Sequence, residues 1–267
     1  MIRVGTSGWV YPPWRGTFYP KGLAQRRELE YLSRTLNSVE LNGSFYALQK
    51  PASYLKWAEQ TPDDFVFSVK GPRFITHMKR LVGVEEPLAT FLASGVLALG
   101  LKLGPILWQL PPNLPFDADA LTAFAALLPA TTADAAAMSL RHSDHVADRA
   151  WTTTDADRPL RHALEVRHPS FVTPELPKLL RRFGIALVLA DSAGKFPVID
   201  EITADFFYAR LHGDQELYTS GYTDDALDRW AVRFAEVAAD RDAYVYFDND
   251  AKVRAPYDAR SLLDRLN

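Results

Sequence analysis

The chain has 267 residues, of which 48% are apolar, and its formal net charge is −3. A chain of this size and apolar content can bury a large core, as one large barrel or as two small domains. The net charge excludes a strongly basic protein and gives no global electrostatic reason to expect nucleic acid as a partner. A local basic cleft remains compatible with this composition.

The sequence contains no cysteine, which excludes disulfides, thiolate nucleophiles and zinc–thiolate sites. It has no run of about 18 apolar residues, so we expect neither a transmembrane helix nor a membrane partner. The first five residues enter a strand pattern directly and lack the basic-then-apolar layout of a signal peptide. Together these features favour a soluble cytoplasmic protein.

Apolar, β-rich runs alternate with runs of helical periodicity from end to end. The predicted strands are Ile2–Ser7, Ser38–Phe45, Phe65–Lys70, Gly104–Leu110, Arg161–Arg167, Ile185–Asp191, Phe206–His212 and Tyr244–Asn249. The predicted helices are Leu23–Leu36, Pro51–Gln60, Pro87–Ala98, Asp117–Leu128, Pro174–Phe183, Asp224–Ala239 and Pro256–Leu266.

This alternation predicts an α/β fold, a single (β/α)₈ TIM barrel that forms one domain over residues 1–267. Residues 129–160 are rich in Ala, Thr and Asp and break the rhythm, so we interpret them as a longer excursion within that domain. An open doubly wound sheet is the alternative. It is weakened because no Gly-x-Gly-x-x-Gly loop and no phosphate-loop motif is present.

Five short apolar, β-rich segments end in polar residues two positions apart. The pairs are Glu40 and Asn42, Ser68 and Lys70, Glu165 and Arg167, Arg210 and His212, and Asp248 and Asp250. Residues i and i+2 share a face of a strand, and polar groups are costly to bury without partners. Because active groups of a TIM barrel lie at the C-terminal ends of its strands, these pairs predict one convergent polar site.

Glu40 and Glu165 are the leading acid–base candidates, and His212 is the third catalytic candidate. Two inward carboxylates on separate strands can act as an acid and a base, as glycoside hydrolysis requires. The alternative is that each carboxylate forms an internal salt bridge with Arg167 or Arg210.

Arg167 and Arg210 are candidate anion ligands, because guanidinium binds carboxylate and phosphate in a bidentate manner. An internal ion pair with Glu40, Glu165 or Asp191 is the competing interpretation. Lys70 ends an apolar strand, so its amine must either pair or face a cavity. One lysine is a weak signal for Schiff-base chemistry.

His77, His168 and His212 are scattered and do not show the spacing of a metal site. We therefore expect no metal and no cofactor. A divalent metal held by Glu40, Glu165, Asp191, His212 and Asp250 is the alternative that this argument leaves open.

Aromatic residues crowd the first strand-to-helix loop, namely Trp9, Tyr11, Trp14, Phe18 and Tyr19. They are expected either to stack on sugars or bases or to pack as a lid against the barrel rim. Gln109, at the end of the fourth strand, is placed to orient a substrate. Tyr218 and Tyr222 follow the seventh strand and are placed to cover the site.

Seven segments resemble the successive signatures of one family. They are GTSGWVYPPWRGTFYP, VELNGSFY, KGPRFITH, LGPILWQLPPNL, EVRHPSF, YARLHG and YVYFDND, and they span nearly the whole chain in order. This pattern resembles the YecE-like family of proteins of unknown function (domain of unknown function 72). The resemblance implies a single TIM barrel similar to those of endonuclease IV and the sugar isomerases. A nucleic-acid role has been suggested on that analogy, but the resemblance implies no known reaction.

The resemblance also implies a set of pocket residues, which are Glu40, Asn42, Ser44, Lys70, His77, Gln109, Glu165, Arg167, His168, Asp191, Arg210, His212 and Asn249. Asp248 stands where relatives often carry asparagine, which makes this end of the pocket more acidic. The expected function is that of a hydrolase or lyase acting on a small anionic, phosphorylated or sugar-containing (nucleotide-like) ligand. The alternatives are a non-catalytic nucleic-acid or nucleotide binder and a metal-dependent isomerase or phosphodiesterase. The oligomeric state is left open.

Overall fold

A computed structural model describes all residues, 1–267, and contains one sheet of nine parallel strands. The strands are β1 (Ile2–Ser7), β2 (Ser38–Leu41), β3 (Val66–Lys70), β4 (Leu103–Gln109), β5 (His162–Glu165), β6 (Ala186–Leu187), β7 (Leu189–Asp191), β8 (Phe206–Leu211) and β9 (Asp242–Phe247). Their order in the sheet is β6-β5-β4-β3-β2-β1-β9-β8-β7.

The two edges of this sheet are joined through consecutive residues. β6 pairs with β5 and β7 pairs with β8, and only Val188 separates β6 from β7. The backbone N–H of Val188 still donates to the carbonyl of Leu164 on β5, at 2.9 Å. The sheet is therefore a nearly closed barrel of the TIM type, which confirms the predicted fold class.

Nine α-helices surround the barrel. They are α1 (Glu28–Leu32), α2 (Gly43–Tyr46), α3 (Pro51–Glu59), α4 (Glu85–Ala93), α5 (Ala118–Leu127), α6 (Thr132–Ser139), α7 (Glu175–Phe183), α8 (Asp224–Ala238) and α9 (Ala255–Leu266). Local chemistry sets several of their ends. Asp117 and Thr223 cap α5 and α8 by accepting backbone N–H bonds, and Gly184 ends α7 with φ at 63°. None of these helices combines the length and the apolar composition that crossing a bilayer would need.

Most predicted strands and helices differ from the observed ones by a few residues at their ends, the predicted strand Ile185–Asp191 is interrupted at Val188, and three further segments differ in other ways. The second strand ends at Leu41 instead of Phe45, because the chain turns at Asn42 into α2. The first helix is shorter than expected and follows a single 3₁₀ turn over Gln25–Arg27. The expected excursion at 129–160 contains α6, followed by a 3₁₀ segment over Asp144–Arg149.

The apolar side chains form two cores. The larger core lies between the strands and the helices. The smaller one fills the barrel interior with Leu107, Ala163, Ala186, Val188, Ala190, Phe206, Tyr208, Tyr244 and Tyr246. The hydroxyl of Tyr208, on β8, lies 2.7 Å from Ser68 Oγ on β3, and it donates to Glu40 on β2 at 2.7 Å. β8 does not neighbour β2 or β3, so these bonds cross the barrel and connect its interior to the charged layer above.

Candidate functional site

Arg210 lies at the centre of a buried group of charged side chains, which we call the Arg210 cluster (Ser7, Glu40, Glu165, Arg210 and Asp248). Its side chain is 0% exposed. Its Nε donates to Glu40 Oε2 at 3.1 Å, and its Nη1 donates to Glu165 Oε2 at 2.7 Å. Its Nη2 donates to Glu40 Oε1 and Ser7 Oγ, both at 2.9 Å, and to Asp248 Oδ2 at 3.0 Å. All three nitrogens of Arg210 are therefore engaged, and the internal ion pair is the alternative that the geometry favours.

The two glutamates of the cluster are held as hydrogen-bond acceptors. Glu40 is buried and accepts bonds from Ser7, Tyr208 and Arg210. Glu165 is buried as well and accepts from Arg210 and from Arg167 Nε, the latter at 2.7 Å. Burial acts to raise the pKa of Glu165, but the positive charges of Arg167 and Arg210 outweigh it and hold that pKa well below its usual range. Fully buried carboxylates do not line an open cavity, which differs from the expected arrangement.

His212 is a buried imidazole with one unpartnered nitrogen. Its Nδ1 donates to Asp248 Oδ2 at 3.0 Å, whereas its Nε2 has no hydrogen-bond partner and lies 3.9 Å from Glu165 Oε1. A neutral ring that donates through Nδ1 carries its lone pair on Nε2, which is the arrangement of a general base. The ring of Tyr218 packs edge-on against His212 at a centroid distance of 5.4 Å, and Tyr218 has a left-handed backbone, with φ at 62°.

Three other polar side chains end neighbouring strands, and we call them the mouth group (Lys70, Gln109 and Arg167). Lys70 ends β3, Gln109 ends β4, and Arg167 follows β5 by two residues, so they share one side of the barrel mouth. Arg167 is 10% exposed, and it uses Nε for Glu165 and stacks over Phe196 at 4.6 Å. Its two terminal nitrogens, the Gln109 amide and Lys70 Nζ form no hydrogen bond within the protein.

Asp250 lies beside the Arg210 cluster, and the pKa of its carboxyl group is raised. Burial and the negative charge of Asp248 raise the pKa of Asp250 to about 7. The Tyr11 phenol donates to the Ser7 carbonyl, and burial together with the charges of Asp250 and Asp248 raises the pKa of this phenol. From the sequence, Asp250 is expected in one of the five polar pairs and, in the alternative with a divalent metal, as one of the ligands.

Two predicted site residues lie near the mouth without joining the cluster. Ser44 Oγ donates to the Lys70 carbonyl at 2.6 Å and so holds α2 against the end of β3. His77 packs edge-on against Phe45 at 5.1 Å, and its Nδ1 lies 2.8 Å from Thr76 Oγ1. Burial together with the charge of Lys70 lowers the pKa of His77 to about 4, so this ring is neutral at pH 7.

Four further predicted residues form local structural bonds. His168 Nδ1 caps the turn that follows β5, accepting from the Ser170 N–H at 3.2 Å. Tyr222 donates to Asp191 Oδ2 at 2.9 Å, which ties the loop after β8 to the end of β7. Asn249 donates to Asp258 on α9 at 2.8 Å and therefore faces the helix layer and not the barrel axis.

The aromatic side chains of the loop after β1 pack into the larger apolar core, and Trp9 also borders a cavity. Trp14, Phe18 and Tyr19 are buried and contact one another. Trp9 lies at a cavity of about 310 Å³ whose wall also includes Asn42, Tyr46 and Trp57. Asn42 donates to Ser7 Oγ at 2.6 Å, while its Oδ1 has no partner, so this cavity adjoins the Arg210 cluster.

A cavity of about 610 Å³ lies beside the mouth instead of over its centre. Phe45, Tyr46, Arg73, Phe74 and Met78 are among the residues that line it. Phe45 connects this cavity to the mouth group, because Lys70 Nζ lies 4.3 Å above the centre of its ring. Gly71, directly after Lys70, passes so close to Trp108 that a Cβ there would lie 2.3 Å from the indole ring.

The site offers no cluster of metal ligands. No group of three or more His, Asp or Glu side chains has a geometry that could hold a metal ion. The carboxylates of Glu40, Glu165 and Asp248 converge, but the guanidinium of Arg210 already occupies the position between them. The metal-dependent alternative therefore lacks support from this arrangement of ligands.

The sequence assigned no site role to Ser7, and it placed Asp248 in a strand-end pair without naming it as a catalytic or binding residue. Strand parity contains the signal for Asp248, since Tyr244 and Tyr246 point into the barrel and Asp248 continues the same alternation. Ser7, at the end of β1, pairs in register with Glu40. That Ser7 bonds to Glu40 and Arg210 can be inferred only when β1 and β2 are known to be neighbouring strands.

The fold and the site define an α/β-barrel protein with a polar, charge-paired site at the C-terminal ends of its strands. The family model "Protein of unknown function DUF72" matches residues 3–267, and the chain belongs to this family. This confirms the resemblance drawn from the seven segments.

Relatives and solved structures agree with this assignment. UPF0759 protein YecE of Escherichia coli K12 is 29% identical over 198 residues, which cover 72% of this chain and 60% of that protein. UPF0759 protein YunF of Bacillus subtilis is 33% identical over 117 residues, which cover 42% of this chain and 40% of that protein. The chain thus matches at most about 60% of the length of these curated relatives.

A solved DUF72 family protein from Thermotoga maritima superimposes with a TM-score of 0.81 at 25% identity, covering 100% of this chain and 99% of that chain. D-psicose 3-epimerase from Clostridium cellulolyticum superimposes with a TM-score of 0.54 at 8% identity, covering 99% of this chain and 98% of that chain. At that identity the likeness shows the barrel fold alone.

Proposed function

We propose that this chain is a hydrolase or lyase that binds a small anionic, phosphorylated or sugar-containing ligand at the mouth of the barrel. The observation that carries this proposal is the state of Arg167. Its Nε is fixed by Glu165 and its plane by Phe196, whereas its two terminal nitrogens remain without partners. A guanidinium held in this way is oriented in advance for two parallel hydrogen bonds to a phosphate or carboxylate.

The neighbours of Arg167 suit the rest of such a ligand. Gln109 supplies a free amide on the next strand, and the charge of Lys70 adds to the positive potential. Trp9 and Trp57 give aromatic faces to the cavity beside Asn42, and such faces pack against the apolar side of a sugar ring.

His212 is the general base in this proposal, with Asp248 holding its Nδ1. The unpartnered Nε2 can take a proton from water or from a ligand carbon, and it can return that proton to a leaving group. Because the Tyr218 ring packs against His212, a substrate reaches Nε2 only when the loop that carries Tyr218 shifts. Glu40 and Glu165 hold Arg210 and Arg167 in this scheme and do not react themselves.

Calorimetric titration tests the anion site directly. We expect glucose 6-phosphate or inorganic phosphate to bind the wild-type protein, and we expect Arg167→Ala to weaken binding about tenfold or more. Arg182→Ala is the matched control. It removes the same charge near the end of α7, at the opposite end of the barrel, and should leave the affinity unchanged. Equal binding of glucose and glucose 6-phosphate, or equal affinities in wild type and Arg167→Ala, would contradict the proposal.

The catalytic step needs its own test. Any phosphorylated or glycosidic ligand that binds should be turned over, as measured by release of phosphate or reducing sugar. His212→Asn should abolish turnover while leaving the affinity for phosphate within a factor of about two, because Arg167 and Gln109 remain in place. Binding without turnover in the wild type would favour the non-catalytic alternative.

A further inference from the structure

Two lysines with restricted solvent access differ sharply in their hydrogen bonding. Lys102 Nζ donates to the carbonyls of Ala58 and Thr61 at 2.6 and 2.8 Å, and to Thr61 Oγ1 at 3.2 Å. Lys70 is only 7% exposed, yet its Nζ forms no hydrogen bond within the protein and rests 4.3 Å above the Phe45 ring. An amine confined with no acceptor is costly unless a ligand engages it.

The carboxylates near Lys70 do not satisfy it. Glu40, Glu165 and Asp248 are all bound by Arg210, and no ion pair joins any of them to Lys70. Burial and the positive charge of Arg210 outweigh their attraction and lower the pKa of Lys70 to about 8. At pH 7 roughly a tenth of such an amine is neutral and nucleophilic, several-hundred-fold more than for an ordinary lysine.

We propose that Lys70 forms an imine with the carbonyl carbon of a small anionic aldehyde or ketone whose acid group is bound by Arg167. The placement carries this assignment, because Lys70 ends β3 at the barrel mouth, Gln109 ends the neighbouring β4, and Arg167 follows the end of the next strand, β5, by two residues. The Phe45 ring under the amine is also a wall of the cavity of about 610 Å³, which leaves room for the carbon body of the ligand. This goes beyond the anion site, since it adds a covalent bond between protein and ligand.

The step balances without any further reactant. The neutral amine attacks the carbonyl carbon, and the proton that it had released goes to the carbonyl oxygen. Loss of that oxygen as water leaves a protonated C=N bond. The net change is therefore an ammonium group plus a carbonyl compound giving an iminium ion plus water. The iminium withdraws electrons from the neighbouring carbon, which is the electronic requirement for a lyase, and hydrolysis with one water returns the amine.

Reductive trapping tests this inference. The full chain is incubated with pyruvate or dihydroxyacetone phosphate in the presence of sodium cyanoborohydride, and modified lysines are located by peptide mass spectrometry. We expect the secondary amine to form at Lys70 at least tenfold faster than at Lys102 or at the exposed Lys178. Lys70→Arg and Lys70→Met should remove this label, with folding verified by circular dichroism. Absence of label at Lys70 with both compounds, or label spread evenly over the lysines, overturns the inference.

Two comparisons separate this inference from the anion site. Arg167→Ala should slow trapping of the two anionic compounds and leave trapping of neutral dihydroxyacetone unchanged. Phosphate binding that depends on Arg167, without any label at Lys70, would overturn the imine alone. If Lys70 is labelled at the same rate with and without added phosphate, and in wild type and Arg167→Ala, the imine stands and the role of Arg167 is overturned.

Discussion

The Arg210 cluster and the mouth group are built from the same kinds of side chain at the same end of the barrel, but their hydrogen bonding differs. In the cluster, every nitrogen of Arg210 has a carboxylate or hydroxyl acceptor. In the mouth group, Lys70 Nζ and the terminal nitrogens of Arg167 have none. Charge and position alone therefore do not distinguish the two groups, whereas the number of hydrogen-bond donors left without an acceptor does.

The largest expected effect comes from breaking the cluster. Arg210→Ala removes the counter-ion that Glu40, Glu165 and Asp248 share, and only Glu165 keeps another arginine, Arg167. Breaking a buried ion pair in this way costs about 3–5 kcal/mol of the free energy of unfolding. For a chain of this size that corresponds to a drop in Tm of about 10 °C. Differential scanning calorimetry of Arg210→Ala and Arg167→Ala checks this, with Arg167→Ala losing about 1–2 kcal/mol because only one ion pair is broken. Similar losses in the two variants would remove the distinction between the regions.

The fold could be predicted well from the sequence, because its parallel strands have a recognisable residue pattern. Parallel strands buried on both faces are apolar runs, and Ile2–Ser7 was predicted with its observed bounds. The second strand was extended too far, since Asn42-Gly43-Ser44-Phe45-Tyr46 has the aromatic content of a strand but forms a short helix. The pairing of α2 with the end of β3, through Ser44, is a tertiary contact that local propensity does not contain.

The site could be predicted only in part. Parity along each strand correctly brings Glu40, Glu165 and Arg210 together, because i and i+2 alternation survives to the strand end. The same alternation places Asp248 in the cluster and its neighbour Asn249 against α9, whereas the family resemblance had implied that Asn249 lies in the pocket. Whether all the hydrogen-bond donors of an arginine have acceptors depends on how many strands place polar side chains around it. The sequence alone does not show this, because it does not show which strands converge on that arginine.

An effect of intermediate size is expected from replacing Lys102 and Lys70, which differ in their hydrogen bonding. Lys102→Met removes three hydrogen bonds at the end of α3 and should lower the free energy of unfolding by about 2 kcal/mol. Lys70→Met removes none and should change it by less than about 1 kcal/mol, because an isosteric apolar group replaces an unpartnered amine. Urea denaturation of both variants measures the pair. A larger loss from Lys70→Met would show that its amine contributes to stability and is not free for a ligand.

The smallest expected effect is the pH dependence of stability that Asp250, beside the Arg210 cluster, produces. The pKa of Asp250 is raised from 3.8 to about 7, so the folded chain keeps a proton that the unfolded chain loses in this interval. The stability that this proton confers is complete below pH 3.8 and is lost as the pH rises through 7. Asp250→Asn cannot lose that proton. Its free energy of unfolding should therefore gain on the wild type between pH 4 and pH 8, by on the order of 1 kcal/mol after allowing for partial solvent screening.

Thermal unfolding at several pH values measures this gain. Arg182→Ala serves as the control, because arginine does not titrate in this range and its offset from the wild type should stay constant. Burial and the charge of Asp248 both raise the pKa of Asp250, and Asp248→Asn separates these two causes. If the charge of Asp248 contributes, the pH dependence of Asp250→Asn shrinks when Asp248→Asn is also present. A pH-independent difference between Asp250→Asn and wild type would mean that the pKa of Asp250 is not raised by folding, so that at neutral pH its carboxylate adds a fourth negative charge beside Glu40, Glu165 and Asp248.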